Sequence, residues 1–125
     1  MSKKITIIQI KTNDRGSMGI MEFTEIESKT DTFRKYVKGE IDIMLFDNIC
    51  IVFNKENEKS GLPLNCMIMD SNRQISGGLF GNICICRTGI NGEFLSIRKS
   101  DVQFINERLI PVEGRKILDW QMPDI

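Results

Sequence analysis

The chain has 125 residues and a formal charge of zero, 17 Lys and Arg against 17 Asp and Glu, which suits one compact domain spanning residues 1–125. Apolar residues make up 41%, none of them alanine and twenty of them isoleucine; this excludes a disordered chain, and no stretch approaches the roughly 18 uncharged apolar residues of a membrane span. Histidine is absent, which removes His-ligated metals and Ser-His or Cys-His pairs, and the balanced charge argues against nucleic-acid partners, whose affinity rests on Lys and Arg meeting phosphates.

Residues 3–11 (KKITIIQIK) are β-branched and predict a strand. No small-residue cleavage site follows this basic start, so no signal peptide is read and a cytoplasmic setting is expected. Residues 12–19 carry turn chemistry, and residues 20–27 predict a second strand. Ser28 or Thr30 offers a cap for a helix over about 30–38, with Arg34, Lys35 and Lys38 near its end and Gly39 as the residue that stops it. Phe33, Tyr36 and Val37 form its apolar face. Residues 41–46 and 49–53 flank Asp47-Asn48 as a β-hairpin. A polar run from Asn54 leads to Gly61-Leu62-Pro63-Leu64-Asn65, where proline holds the chain extended, and residues 66–69 predict a short strand.

After Ser76-Gly77-Gly78, residues 82–87 predict a strand with Ile83 and Ile85 on one face and Cys84 and Cys86 on the other. Ser100-Asp101-Val102-Gln103 matches a capping box for a second helix, with Val102, Ile105 and Leu109 on its face and Ile110-Pro111 closing it. Residues 111–125, which include Trp120, are expected to form a packing or oligomerisation arm. The elements together predict an α+β fold, an antiparallel or mixed sheet of about five to seven strands with two short helices.

Three stretches carry a family resemblance. Val37-Lys38-Gly39-Glu40-Ile41-Asp42 is similar to a Val-Gly-Gly-x-Ile-Glu step from helix to strand. Asn54-Lys55-Glu56, running on to Gly61-Leu62-Pro63-Leu64-Asn65, is similar to an Asn-Glu-Glu-Gly-Lys block followed by Gly-Leu-Pro-Leu-Asn. Ile75-Ser76-Gly77 before an apolar strand is similar to an Ile-x-Gly signature. On these, residues from about 33 to 88 resemble the uncharacterised "domain of unknown function 3846" family, with a weaker echo to about residue 110. The chain departs from that pattern at Lys38 and Asn57, where the family favours glycine. The resemblance implies a small α+β domain of phages and mobile elements, and no established chemistry.

Each candidate site has a plain structural reading beside the functional one. Asn54, Lys55 and Asn65 read as the rim of a polar-ligand pocket, or as amides that lock their own loop. Gly77 and Gly78 read as backbone donors to an anion with Arg87 adding charge, or as the smooth part of a strand. Cys50, Cys66, Cys84 and Cys86 read as core thiols rather than a zinc site, because they do not form closely spaced knuckles on turns. Asp42, Asp47, Glu56 and Glu58 read as solvated acids near turns. Trp120 reads as an interface anchor, and with it a homo-oligomer is expected.

These features predict a small non-enzymatic binding protein without a cofactor or metal. Its expected role is counter-defence, by sequestering a nucleotide-like ligand or by blocking a host defence protein. The alternatives are a small enzyme using carboxylates or a thiol, and a purely structural interaction domain.

Overall fold

The computed structural model describes residues 3–12, 18–57, 61–113 and 116–117; Glu58, Trp120 and the rest of the expected arm after Ile117 lie outside them. The chain folds as an α+β domain of two antiparallel sheets and two short helices. Its elements are β1 (Lys4–Thr12), β2 (Met18–Glu27), α1 (Thr30–Val37), β3 (Ile41–Phe46), β4 (Ile49–Asn54), β5 (Leu64–Met69), β6 (Ile75–Phe80), β7 (Ile83–Thr88), β8 (Phe94–Leu95), α2 (Val102–Arg108), β9 (Leu109–Glu113) and β10 (Lys116–Ile117). A six-stranded sheet has the order β2-β1-β7-β4-β3, with β8 also on β7. A second sheet has the order β10-β9-β5-β6.

The larger sheet is the middle layer, and its strands carry apolar residues on both faces. Cys50, Val52, Cys84 and Cys86 share one face with Ile5 and Ile7, and α1 closes that face with Phe33 and Val37. The opposite face holds Ile8, Ile10, Ile49, Ile51, Phe53, Ile83 and Ile85. It packs on Cys66, Ile68 and Leu79 of the second sheet and on Ile105 and Leu109 at the α2 end. The register explains the split: Cys50 faces Cys86 and Ile51 faces Ile85 across β4 and β7, so side chains of one kind line up on one side.

Several boundaries differ from the sequence expectation, each for a local reason. Helix α1 ends on Lys38, which takes the left-handed conformation at φ 64°. Gly39 serves a different need, because a β-carbon there would stand 2.8 Å from the Asn54 side-chain nitrogen. The N-cap of α1 is Lys29, with no side-chain bond from Ser28 or Thr30 to the helix. The turn before α2 starts at Arg98 instead of Ser100. There Asp101 reaches back to accept the Arg98 backbone N–H at 2.9 Å, and a 3-10 turn at Lys99–Asp101 leads into the helix. Leu109 and Ile110 are not the end of that helix. They begin β9, which pairs with β5 through Met67 and Ile68.

Candidate binding cleft between the sheets

The second sheet lies across the first so that β9 meets β2, β5 meets β1 and β2, and β6 meets β4. On β6, Gly77 pairs with Ile68 and Leu79 pairs with Cys66. Leu79, Ile68 and Cys66 belong to the intersheet core, and Gly77 stands two residues from Leu79 on the same face. A side chain at 77 would therefore project between the sheets. None is there, and a β-carbon placed on Gly77 would meet no atom within 4 Å.

A cleft of about 450 Å³ opens at this place. Met44 and Phe53 line it from the first sheet, Ile68, Gly77 and Leu79 from the inner face of the second, and Met67 and Gly78 from the outer face of the second, so the cleft runs from between the sheets round the β6 side. Leu64, Phe80 and Asn57 complete it, so among the described residues its lining carries no Asp, Glu, Lys or Arg. Its volume is in the range of small-ligand sites.

Asn57 sits at its rim. The Asn57 amide donates to the Gly78 carbonyl at 3.0 Å and accepts the Phe80 N–H at 3.1 Å. These are backbone groups two residues apart on the outer edge of β6, so this one side chain occupies the place of a neighbouring strand.

The predicted site residues divide between this cleft and other work. Gly77 and Gly78 line the cleft. Asn54 and Asn65 are buried but turned to the backbone. The Asn54 amide donates to the Val37 carbonyl at the end of α1, 3.1 Å away, and its oxygen accepts the Glu56 N–H. The Asn65 amide donates to the carbonyls of Ile10 and Gly81, both at 2.9 Å, which ties β5 to β1. Its oxygen is buried with no hydrogen-bond partner among the described residues. Lys55 is exposed, and its backbone N–H serves Glu40. Arg87 donates from Nε to the Ser96 carbonyl at 2.7 Å and stands with Asp101, outside the cleft lining.

Gly81 gives its N–H to the Pro63 carbonyl at 2.7 Å. What sequence reading missed in the cleft was Met44, Phe53, Asn57 and Met67. The signal for the first two was the alternation in the β3–β4 hairpin, which assigns Met44 and Phe53 to the face that also carries Phe46 and Ile51.

The four thiols do not converge. Cys66 lies in the intersheet core, while Cys50, Cys84 and Cys86 lie on the other face under α1. Burial pushes the Cys66 thiol up to about 12 and also raises Cys84. Cys86 donates a hydrogen bond to Cys50, which raises Cys86 further and favours deprotonation of Cys50. The Tyr36 hydroxyl near Cys84 is buried and without a partner among the described residues, and burial raises it as well. Among the described residues, no group of three or more Cys, Asp or Glu could hold a metal ion, and no helix is long and apolar enough to cross a membrane.

The molecule is thus a two-sheet α+β domain with an uncharged intersheet cleft. The family model of the domain of unknown function DUF3846 matches residues 14–110, and the chain belongs to that family. No curated protein and no solved structure matches it.

Proposed function

We propose that this chain is a non-enzymatic binding protein of the cytoplasm that holds an uncharged, partly apolar group of its partner in the intersheet cleft. The observation that carries this reading is the gap over Gly77, walled by Met44, Phe53 and Leu79. An apolar group that binds there takes the walls of Met44, Phe53 and Leu79 out of water, which is favourable by about 25 cal/mol per Å² of apolar surface buried. Turnover has little to work with there. Among the described residues the lining contains no acid, lysine, cysteine or tyrosine, burial holds Cys66 and Cys84 as thiols, and the hydrogen bond with Cys50, with burial, holds Cys86 as one.

Of the two binding modes that the sequence suggests, blocking a partner protein fits the cleft better than sequestering a nucleotide-like anion. A phosphate wants cations, and Lys55 and Arg87 do not line the cavity. The counter-defence setting comes from the resemblance alone, and the cleft supports only the binding part of it.

The test uses protein labelled at its methionine methyl groups and observed by NMR. Blocked phenylalanine amide should move the Met44 and Met67 signals, and Gly77→Leu should abolish that response. A nucleotide that moves the same two signals at physiological salt would overturn the uncharged reading. Chemical conversion of the added compound would overturn the non-enzymatic one.

A further inference from the structure

We propose that the partner group is an extended, uncharged peptide segment that adds as a strand to the outer edge of β6. This rests on the proposed function and goes further, because it assigns the ligand a backbone.

The layering leaves a place for it. With β6 over β4, the next position outward in the second sheet lies toward β3, the neighbour of β4 and the edge of the first sheet. There the cleft opens, and Met44 of β3 is only half-buried. Among the described residues, no strand pairs with the outer side of β6. Asn57 stands in for one over the Gly78 carbonyl and the Phe80 N–H. Among the described residues nothing comparable covers the stretch before it, where a bulge leaves Ser76 outside the pairing with β5.

Both edges of the first sheet are guarded, whereas on β6, the edge of the second sheet, Asn57 covers only Gly78 and Phe80 among the described residues. On β3 the Asp42 carboxylate accepts the Ile43 N–H at 2.8 Å, which occupies a group that an incoming strand would need. The β2 edge carries Glu22, Glu25 and Glu27. Charges and self-capping of this kind are how proteins stop strand addition. Strand β6 reads Ile-Ser-Gly-Gly-Leu-Phe, with no charge and with two glycines that let another backbone approach.

The chemistry of the occupant follows. In a chain with 27% charged residues, both the cleft and β6 are uncharged, so the complementary segment is uncharged too. An added strand would point alternate side chains into the gap over Gly77, between Met44, Phe53 and Leu79, with main-chain bonds supplying affinity.

The experiment titrates the whole chain with terminally blocked seven-residue peptides that alternate threonine and valine around a central phenylalanine. Amide hydrogen exchange and the methionine methyl signals are followed together. The expected result is slowed exchange at Ser76 and Gly78 together with shifts at Met44 and Met67. N-methylation of the peptide backbone at alternate amides should weaken binding about tenfold or more, the effect of losing about one hydrogen bond. Gly77→Leu should remove binding while keeping a cooperative thermal unfolding transition.

A peptide that moves the methionine signals and tolerates N-methylation overturns strand addition and leaves the proposed function standing. Failure of the peptide where blocked phenylalanine amide still binds does the same. Failure of both ligands overturns the proposed function itself. Concentration-dependent dimerisation that slows exchange at Ser76 and Gly78 without any peptide would make a second copy the occupant and overturn the partner segment.

Discussion

The two faces of the six-stranded sheet are built from the same β-branched alternation but are closed differently. Under α1 the fit is complete. Phe33 and Val37 are fully buried, and Phe33 meets the ring of Phe94 with centroids 4.7 Å apart. The helix is stopped by the Asn54 amide, which fits against Gly39 because that residue has no side chain. On the other face α2 and the second sheet close most of the surface. Arg108 lies 4.3 Å over the Phe46 ring and bonds the Met69 carbonyl, joining α2 to β3 and β5. Among the described residues the closure opens at β6, where the strand has glycine. A missing side chain thus does opposite work on the two faces: at 39 it admits a structural amide, and at 77 it leaves room.

If the α1 face is a sealed core, cutting its anchor should cost the most. Phe33→Ala should lose about 3–5 kcal/mol in urea unfolding, the usual cost of removing a buried aromatic and leaving a cavity. A loss below about 1 kcal/mol, within reach of an ordinary surface change, would mean that the face is not sealed. Asn65 tests how the second sheet is fastened to the first. Asn65→Ala removes two bonds to the carbonyls of Ile10 and Gly81 and should cost about 2 kcal/mol, near 1 for each bond. It should also speed amide exchange in β5 and β6 more than in β4 and β7.

Sequence pattern showed most of the first sheet and little of the second. β1 was marked by its β-branched residues and β4 by an unbroken apolar run, and alternation in β7 placed Ile83 and Ile85 opposite Cys84 and Cys86, as the two faces of the sheet hold them. β6 hid because Ser-Gly-Gly has poor strand propensity; its pairing comes from β5 across the ladder. The start of β9 hid inside a helical pattern, since Leu109 satisfies both the α2 face and the strand. The family's preference for glycine at 38 and 57 becomes intelligible only in three dimensions. Both residues have positive φ, 64° at Lys38 and 32° at Asn57, a conformation that glycine adopts without steric cost. At 57 this chain has instead a side chain that binds β6. For the cleft, the glycines at 77 and 78 were visible as a pair, but Met44 and Phe53 could be joined to them only by knowing which sheet lies over which.

The smallest expected effect concerns the turn into α2, whose Ile105 helps cover the intersheet face. Partial burial alone would raise the Asp101 carboxyl. The hydrogen bonds from Arg98 and its charge, with Arg87 adding, outweigh this and hold it below the usual carboxylate range. A group whose folded value is depressed gives its stabilisation above the unfolded value, about 3.9 for Asp, and loses it as pH falls through the folded value. Asp101→Ala should therefore cost about 1 kcal/mol at pH 7, the usual worth of such a cap, and the stabilities of the two proteins should begin to approach each other only as pH falls below about 4, meeting below the depressed folded value. The Met44 and Met67 methyl signals should stay where they are in the variant, because the cleft is walled by β3 to β6 and does not include the turn before α2. If those signals move with the stability, the shape of the cleft over Gly77 depends on how α2 is seated, and the two ends of the intersheet face act as one unit.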